Sequence, residues 1–256
     1  MLTRGEEKLL HALRRRKVRE TGGLFLAEGV RVVEELLGSG IDLQLALSAP
    51  SLEDTDRGAV LAASLQATGK LRRVDEGRLN ALAATESPQG VLAVGRIPAA
   101  GLDGIELGRG GLGVVLDGIQ DPGNFGSIVR SADAFGALFV AALPGTVDPW
   151  NPKSVRAAAG SSFHLPVLQP GLAPLLSWLR DRGFAIYGAD AAGVSVEAVR
   201  PPRLVALALG NEGAGLGADV RSAIDELVAV PIRGAAESLN VGVAAGVLLY
   251  LLTRSR

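Results

Sequence analysis

Short apolar runs alternate with amphipathic stretches along most of the chain. In the second half these runs are apolar throughout, and they predict strands at 111–117, 137–143, 163–168, 184–190, 203–210 and 226–232. Strands without polar alternation are buried on both faces, which is typical of a parallel sheet flanked by helices. The intervening stretches predict helices at about 125–135, 152–160 and 172–182, and a final helix from about Ser238.

The first part of the chain predicts a smaller α/β layer structure. Helices are expected at 3–18, 25–40 and 57–68, and strands at 42–48, 71–75 and 90–96. Residues 97–111 are rich in glycine and contain a proline, which is typical of a linker between domains. We therefore expect a domain at 1–96, a linker at 97–111 and a second domain at 112–256.

Composition excludes several classes of protein. Of the 256 residues, 48% are hydrophobic and 21% are charged, so the chain has ample material for a core. It has no cysteine, which excludes disulfides, thiolate zinc sites and cysteine nucleophiles, and with only two histidines we expect no metal. The longest apolar run, Val241 to Leu252, is shorter than the roughly 20 residues that span a bilayer. With no export signal visible, we expect a cytoplasmic protein and no membrane contact.

The net charge is −1, so the chain is not a histone-like nucleic-acid binder. Basic residues nevertheless crowd the N-terminus, and the densest run is Arg14, Arg15, Arg16 and Lys17. Such a run can contact a phosphate backbone, and we take these four residues as candidate RNA contacts. The alternative, a solvated helix face, stays open at this point.

One familiar motif is excluded by its position. The string GRGGLG at 108–113 matches the glycine pattern of dinucleotide-binding folds. That pattern has to follow a strand and open a helix, whereas here it precedes a strand. A nicotinamide-dependent oxidoreductase is therefore disfavoured.

Three loops that follow apolar strands carry unusual polar residues. In parallel sheets, ligands bind beyond the carboxyl ends of strands, where these loops lie. In the first loop we expect Asn124 at the N-cap of a helix, and Arg130 stands in a small, apolar run of that helix, where it needs a partner or an anion. The second loop has Glu212 between glycines, and the third has Ser238, an expected N-cap, followed by Asn240 in an apolar helix.

The segments DPGNFGSIVRSADAFG, LALGNEGAGL and VPIRGAAESLNVGVAAG, in this order, resemble the three signature motifs of the SpoU/TrmH family of RNA ribose 2′-O-methyltransferases, in the SPOUT superfamily. This resemblance covers residues 112 to 252. The first part of the chain resembles, more weakly, the ribosomal-protein-like α/β RNA-binding domain that often precedes the catalytic domain.

The resemblance implies a parallel sheet with a trefoil knot, S-adenosylmethionine as the cofactor, and a homodimer with the active site near the subunit interface. By position, Gly210, Val230 and Leu239 match cofactor-binding loops, and Ala189 is a further candidate. The polar active-site residues of the family match Asn124, Arg130, Glu212, Ser238 and Asn240. One departure is Gly242, where many relatives have serine.

Family proposals give the arginine that matches Arg130 the role of base. A guanidinium has a pKa above roughly 12 and scarcely gives up its proton. Our hypothesis is that Arg130 stays charged, holds the adjacent phosphate and stabilises the charge that develops on the ribose oxygen.

The separate N-terminal domain favours large-subunit ribosomal RNA as the substrate. A transfer RNA ribose methyltransferase and a non-catalytic RNA-binding protein of the same fold are the alternatives. The sequence leaves open the target nucleotide, the proton acceptor, and whether the methylation is housekeeping or confers antibiotic resistance.

Overall fold

The computed structural model describes residues 1–85, 88–108 and 110–254. The chain forms two compact units, Met1–Ala99 with Asp148–His164, and Ala100–Val147 with Leu165–Arg256. The first division falls inside the predicted linker, of which Arg109 lies outside the described residues. Segment 148–164, which the sequence-based boundaries placed in the second domain, packs within the first unit.

The elements follow one another in alternation. Up to residue 99 they are α1 (Arg4–Ala12), α2 (Arg16–Gly22), β1 (Leu24–Glu28), α3 (Val30–Gly38), β2 (Leu43–Ser48), α4 (Asp56–Ala67), β3 (Leu71–Arg73), α5 (Glu76–Leu82) and β4 (Val91–Arg96). After residue 99 they are β5 (Gly111–Asp117), α6 (Pro122–Ala134), β6 (Phe139–Ala142), α7 (Pro152–Ala158), β7 (Val167–Leu168), α8 (Leu172–Asp181), β8 (Ala185–Ser195), β9 (Leu204–Gly210), α9 (Ala218–Ser222), β10 (Glu226–Ala229) and α10 (Val241–Arg254).

The sheet of the first unit has the order β1-β4-β2-β3. It is mixed, because β4 is antiparallel to both β1 and β2 whereas β2 and β3 are parallel. Two predictions here were wrong. The stretch 25–40 begins with strand β1, whose residues pair with β4, and the single helix expected at 3–18 is two helices.

The sheet of the second unit has the order β10-β8-β9-β5-β6-β7, and every pair in it is parallel. The apolar strands predicted this arrangement, since both faces are covered. Its core includes an aromatic group in which Phe139 meets Trp178 edge to face, with ring centres 5.6 Å apart, and Phe184 lies 6.1 Å from Phe139. Strand order reverses between β5 and β9, which places a crevice at their carboxyl ends.

No helix among the described residues is both long enough and apolar enough to cross a membrane.

Candidate active site

The carboxyl ends of β5 and β9 lie side by side, with Asp117 opposite Gly210 in the ladder. The loops that leave these ends are tied together. The amide nitrogen of Gly217 donates to Oδ2 of Asp117 at 2.7 Å, and Nδ2 of Asn211 donates to the carbonyl oxygen of Gly118 at 2.9 Å. The two loops therefore form one surface at the crevice.

Asn211 organises the loop that carries Glu212. Its Oδ1 accepts from the backbone nitrogens of Gly213 and Ala214 at 2.9 and 3.0 Å, and its backbone exchanges two hydrogen bonds with Gly215, each 2.9 Å. The sequence reasoning missed Asn211 as a functional candidate. Its position between a strand end and two glycines was the signal, because asparagine side chains commonly bond to the backbone two residues further on.

Glu212, Asn124 and Asn240 are joined in a continuous chain of hydrogen bonds. Nδ2 of Asn124 donates to Oε1 of Glu212 at 2.8 Å, and Nδ2 of Asn240 donates to Oδ1 of Asn124 at 2.9 Å. The three residues come from three separate loops, and the fold brings these loops together at Asn124.

The caps of two helices differ from the predictions. Asp121, not Asn124, is the N-cap of α6, and its Oδ1 accepts from the backbone nitrogen of Asn124 at 2.8 Å. Asn240, not Ser238, caps α10, because its Oδ1 accepts from the nitrogens of Gly242 and Val243 at 2.9 and 3.3 Å. The side chain of Asn124 is thus free to bridge Glu212 and Asn240, and Asn240 both caps a helix and joins the site.

A cavity of about 480 Å³ lies beside this chain of hydrogen bonds. All four residues predicted to bind the cofactor line it, namely Ala189, Gly210, Val230 and Leu239. Three of the five predicted polar residues line it as well, namely Glu212, Ser238 and Asn240. Ser238 and Asn240 belong to the segment 231–240, every residue of which is exposed.

The walls of the cavity suit a nucleoside with a short charged tail. Its volume falls in the range of about 300–1,000 Å³ that small-molecule sites occupy, and it joins apolar side chains such as Leu209, Val228 and Leu248 to backbone at strand ends. Gly210 admits no side chain here, because an added Cβ would lie 2.3 Å from the carbonyl carbon of Gly215. The residues present therefore fit S-adenosylmethionine.

Asp190 supplies a carboxylate to the cavity wall. Its Oδ1 accepts from the nitrogen of Ala192 at 2.9 Å, and its Oδ2 pairs with Nη1 of Arg221 at 2.6 Å. The backbone bond from Ala192 and then the bond from Arg221 lower the pKa of Asp190, so this carboxylate is ionised near neutral pH. The sequence reasoning did not single it out, since nothing in the local pattern marks it.

Arg130 lies on the exposed side of α6, six residues after Asn124 and thus about 9 Å further along the helix. Within the described part of the chain its guanidinium makes no hydrogen bond or ion pair, and it does not line the cavity. The structure therefore does not bring Arg130 into contact with the other four polar residues. Its charge remains available to a ligand outside the protein.

Small residues let α6 and α10 pack closely. A Cβ added at Gly242 would lie 3.2 Å from Oγ of Ser127, and one added at Gly246 would lie 3.5 Å from Oγ of Ser131. At the departure from the family pattern, Gly242, a side chain would therefore crowd the hydroxyl of Ser127 and Oδ1 of Asn240, each of which lies 3.2 Å from the added Cβ.

The four predicted RNA contacts divide into two pairs. Arg14 donates to the carbonyl oxygens of Ala81 and Ala83 at 2.8 and 2.5 Å, and Arg16 pairs with Glu20 at 2.7 Å, so both have partners within the protein. Arg15 and Lys17 are exposed and have no ion pair with any described residue. Among the described residues, no group of three or more histidine, aspartate and glutamate side chains is arranged to hold a metal ion.

Comparison with known proteins identifies the family. The model of the SpoU rRNA Methylase family matches residues 111–250, and that of the MRM3-like substrate binding domain matches residues 7–93. The chain belongs to the SpoU rRNA methylase family. The resemblance drawn from the three motifs is confirmed, and so is the α/β architecture with a parallel second sheet. The trefoil knot stays a prediction.

Relatives of this SpoU protein span almost its whole length. It is 35% identical to the 23S rRNA (guanosine(2553)-2′-O)-methyltransferase RlmP of Bacillus subtilis, over 96% of this chain and 93% of the relative. It is 32% identical to the 23S rRNA (uridine(2479)-2′-O)-methyltransferase of Streptomyces viridochromogenes, over 94% and 86%.

Solved structures of the family agree with this fold. The SpoU methyltransferase AviRb from Streptomyces viridochromogenes, in complex with the cofactor AdoMet, has a TM-score of 0.86 at 30% identity and covers 98% of both chains. The AdoMet-bound rRNA methyltransferase from Sinorhizobium meliloti has a TM-score of 0.85 at 30% identity, over 99% of this chain and 96% of the other.

Proposed function

We propose that this protein transfers a methyl group from S-adenosylmethionine to a ribose 2′-hydroxyl of 23S ribosomal RNA. The observation that carries the proposal is the hydrogen-bonded chain Glu212–Asn124–Asn240 beside a cavity whose walls fit that cofactor. The names of the two relatives support 23S rRNA and the 2′-oxygen, and they specify different nucleotides. The proposal therefore names the RNA and the atom, and leaves the nucleotide to be mapped.

The chemistry needs alignment more than acid catalysis. The bound cofactor supplies a methyl group on a positively charged sulfur, and this sulfur leaves as a neutral thioether, so the protein has no leaving anion to stabilise. What the protein has to do is hold the ribose oxygen in line with the methyl carbon and accept the charge that develops on that oxygen. Asn124 is fixed on both sides by Glu212 and Asn240, which makes it a rigid positioning group.

Arg130 supplies the positive charge in this proposal. Its guanidinium is exposed and has no partner among the described residues, so it can bind an RNA phosphate without displacing a protein group. From there it stabilises the developing alkoxide by its charge, while the proton leaves through phosphate or water. Ser238 lies on the exposed segment beside the cavity, where it can position the ribose.

The protein acts as a homodimer in this proposal. Four large apolar side chains are exposed on α10 and on the segment that precedes it: Ile232 at 38%, Leu239 at 37%, Val243 at 54% and Tyr250 at 47%. A second copy that covers this face removes apolar surface from water. Light scattering that gives the mass of one chain would contradict the dimer. The cytoplasmic location stays a prediction.

The direct test incubates the purified protein with methyl-labelled S-adenosylmethionine and an unmodified 23S rRNA transcript. The expected product is an alkali-resistant dinucleotide, because a 2′-O-methyl group blocks cleavage at that position. An unmodified transfer RNA mixture is the parallel substrate. Preferential labelling of transfer RNA would support the first alternative, and tight RNA binding without any transfer would support the non-catalytic one.

A further inference from the structure

Segment 148–164 joins the first unit through buried contacts. Asp148 and Arg19 form an ion pair whose side chains are 6% and 3% exposed, with Nε of Arg19 2.8 Å from Oδ2 of Asp148. Nη1 of Arg19 also donates to the carbonyl oxygen of Leu13 at 2.6 Å. Burial of both charges is stabilised only by such complete pairing, so this contact fixes where the segment lies.

Aromatic packing holds the same segment in place. The rings of Trp150 and Phe163 lie 4.8 and 5.4 Å from the ring of Phe25, which stands on β1 and is fully buried. Between these two anchors runs α7, in which Pro152, Ser154, Val155 and Ala158 are buried. The helix therefore has one face fixed against the first unit and the other face open to solvent.

The open face of α7 carries only positive charge. Lys153 and Arg156 are exposed and stand one turn apart, which puts them on the same side of the helix. Neither forms an ion pair with a described residue. From residue 149 to residue 164 the sequence contains no aspartate or glutamate, so no carboxylate of this segment offsets these charges.

Helix α2 is joined to the segment that carries α7. Asp148, three residues before the N-cap of α7, is bonded to Arg19 in the last turn of α2. Arg15, the N-cap of α2, stands four residues before Arg19 and therefore on the same side of the helix, whereas Lys17, two residues before Arg19, faces away from it. The Arg19–Asp148 pair neutralises itself, Glu20 pairs with Arg16, and Glu35 lies 3.3 Å from Nε2 of His164. Lys153, Arg156 and Arg15 are left without an ion pair among the described residues.

We propose that Lys153 and Arg156 of α7, together with Arg15 at the N-cap of α2, form a single phosphate-binding surface that holds the RNA backbone. Three cations that have no carboxylate partner among the described residues and stand on packed helices or at their ends are suited to a polyanion, because they lose no such ion pair on binding. The inference rests on the proposed function, since it takes RNA as the substrate. It assigns RNA contact to a segment that belongs by sequence to the SpoU model and not to the substrate-binding model.

The test compares two double variants of equal charge. Lys153→Ala/Arg156→Ala removes the two cations of α7. The control, Lys70→Ala/Arg73→Ala, removes two cations at β3, which is at the opposite edge of the sheet from β1. Lys153, Arg156 and Arg73 are exposed and Lys70 is half-buried, and the two control cations are paired with Asp42 and Glu53. Thermal unfolding of each variant checks that the first unit is folded.

Binding to an unmodified 23S rRNA transcript is measured across a range of potassium chloride concentrations. For the α7 variant we expect about tenfold weaker binding at low salt and a slope of log affinity against log salt reduced by about 1.5, as two lost phosphate contacts require. The control should keep the slope of the original protein. An unchanged slope in the α7 variant, or equal losses in both variants, would overturn the inference.

Two further readouts separate this inference from the proposed function. In the methylation assay, the α7 variant should raise KM for RNA and leave kcat at saturating RNA within about twofold, because its cations hold the backbone and do not touch the reacting atoms. If the α7 variant transfers methyl groups and its salt slope is unchanged, the phosphate-binding surface is wrong and the proposed function stands. If its salt slope is reduced but neither the original protein nor any variant transfers methyl groups, the proposed function is wrong and the surface stands. Competition by polyglutamate as strong as that by RNA would show a generic anion site and would also overturn the inference.

Discussion

Nδ2 of Asn240 lies 2.9 Å from Oδ1 of Asn124, although 116 positions separate the two residues along the chain. Oδ1 of Asn240 accepts hydrogen bonds from backbone nitrogens in the first turn of α10. Nδ2 of Asn124 donates to Glu212. The contact therefore links a helix cap to a carboxylate through one amide. Any change to that amide should be felt on both sides of the site.

Asn124→Asp is expected to lower kcat by about 10–100-fold. The new carboxylate would face Oε1 of Glu212 at the present 2.8 Å contact, where like charges repel and no hydrogen is left to donate. The measurement is single-turnover methyl transfer on 23S rRNA. The matched control is Asp121→Asn in the same helix, because asparagine retains the N-cap bond to residue 124. Equal activity of the two variants would contradict the role given to Asn124.

Arg130→Ala should reduce kcat by about 10²–10³-fold without a change in Tm. The activity falls because the charge beside the ribose is lost, and the stability holds because the side chain is exposed and has no partner among the described residues. The control is Arg200→Ala, which removes another exposed arginine of the second unit.

Arg130→Lys distinguishes a charged residue from a base. We expect partial activity with an unchanged pH profile, since lysine keeps the charge and loses only the planar fork. Near-full activity with an optimum that moves towards the lysine pKa of about 10.4 would instead indicate that this position removes the proton. The measurement is kcat against pH with saturating RNA.

Gly210→Ala is expected to strain the loop by about 1–3 kcal/mol, the usual cost of overpacking a close contact, and thereby to weaken the binding of S-adenosylmethionine. The added Cβ would lie 2.3 Å from a backbone carbon of Gly215, which has no flexible side chain to move away. Gly213→Ala in the same loop is the control, because its nearest neighbour would be Oδ1 of Asn211 at 3.7 Å. Calorimetry with the cofactor alone measures both, and equal affinity of the two variants would show that the loop does not form the cofactor site.

The ionised carboxylate of Asp190 is expected to stabilise the folded state at neutral pH and to lose this effect in acid. Its pKa is lowered by the Ala192 backbone bond and then by Arg221, so the folded state holds the proton less tightly than the unfolded state does. A lowered folded-state pKa gives stability that is present above the unfolded pKa of about 3.9 and is lost as the pH falls through the folded pKa. We expect Asp190→Asn to be about 1 kcal/mol less stable at neutral pH.

The measurement for Asp190 is urea unfolding of the two proteins from about pH 7 down to about pH 3. The difference between their unfolding free energies should be constant above about pH 5 and shrink below about pH 4. A difference that stays constant to the lowest pH would show that the carboxylate charge does not contribute.

The capping residues show where reasoning from the sequence stops. Ser238 and Asn124 are residue types that prefer N-caps, and the sequence predicts caps at both, yet Asp121 and Asn240 take those positions. Several residues in each loop have side chains that can cap a helix. Which of them does so depends on the other contacts that the folded protein offers to each side chain. The bridge that Asn124 makes to Glu212 and Asn240 involves partners 88 and 116 positions away.

The placement of segment 148–164 is a second case. Its helix was predicted, but Arg19 and Asp148 are 129 positions apart, and each by itself resembles an ordinary surface charge. Burial of a charge is favourable only when the opposite charge arrives in the right geometry, which local sequence does not encode. The sequence boundary at residue 112 therefore gave no sign that this segment packs with the first unit.

By itself the sequence determined the parallel character of the second sheet, the three polar loops and the family, because these depend on local hydrophobic period and on residue types at fixed spacing. The tertiary structure alone decided which polar groups meet: the Asn211 loop, the bridge at Asn124, the carboxylate of Asp190 in the cavity wall and the exposed cations of α7. The physical reason is range. Strand and helix patterns arise from neighbours in the chain, whereas a binding site forms from side chains that only the folded backbone brings within a few ångströms.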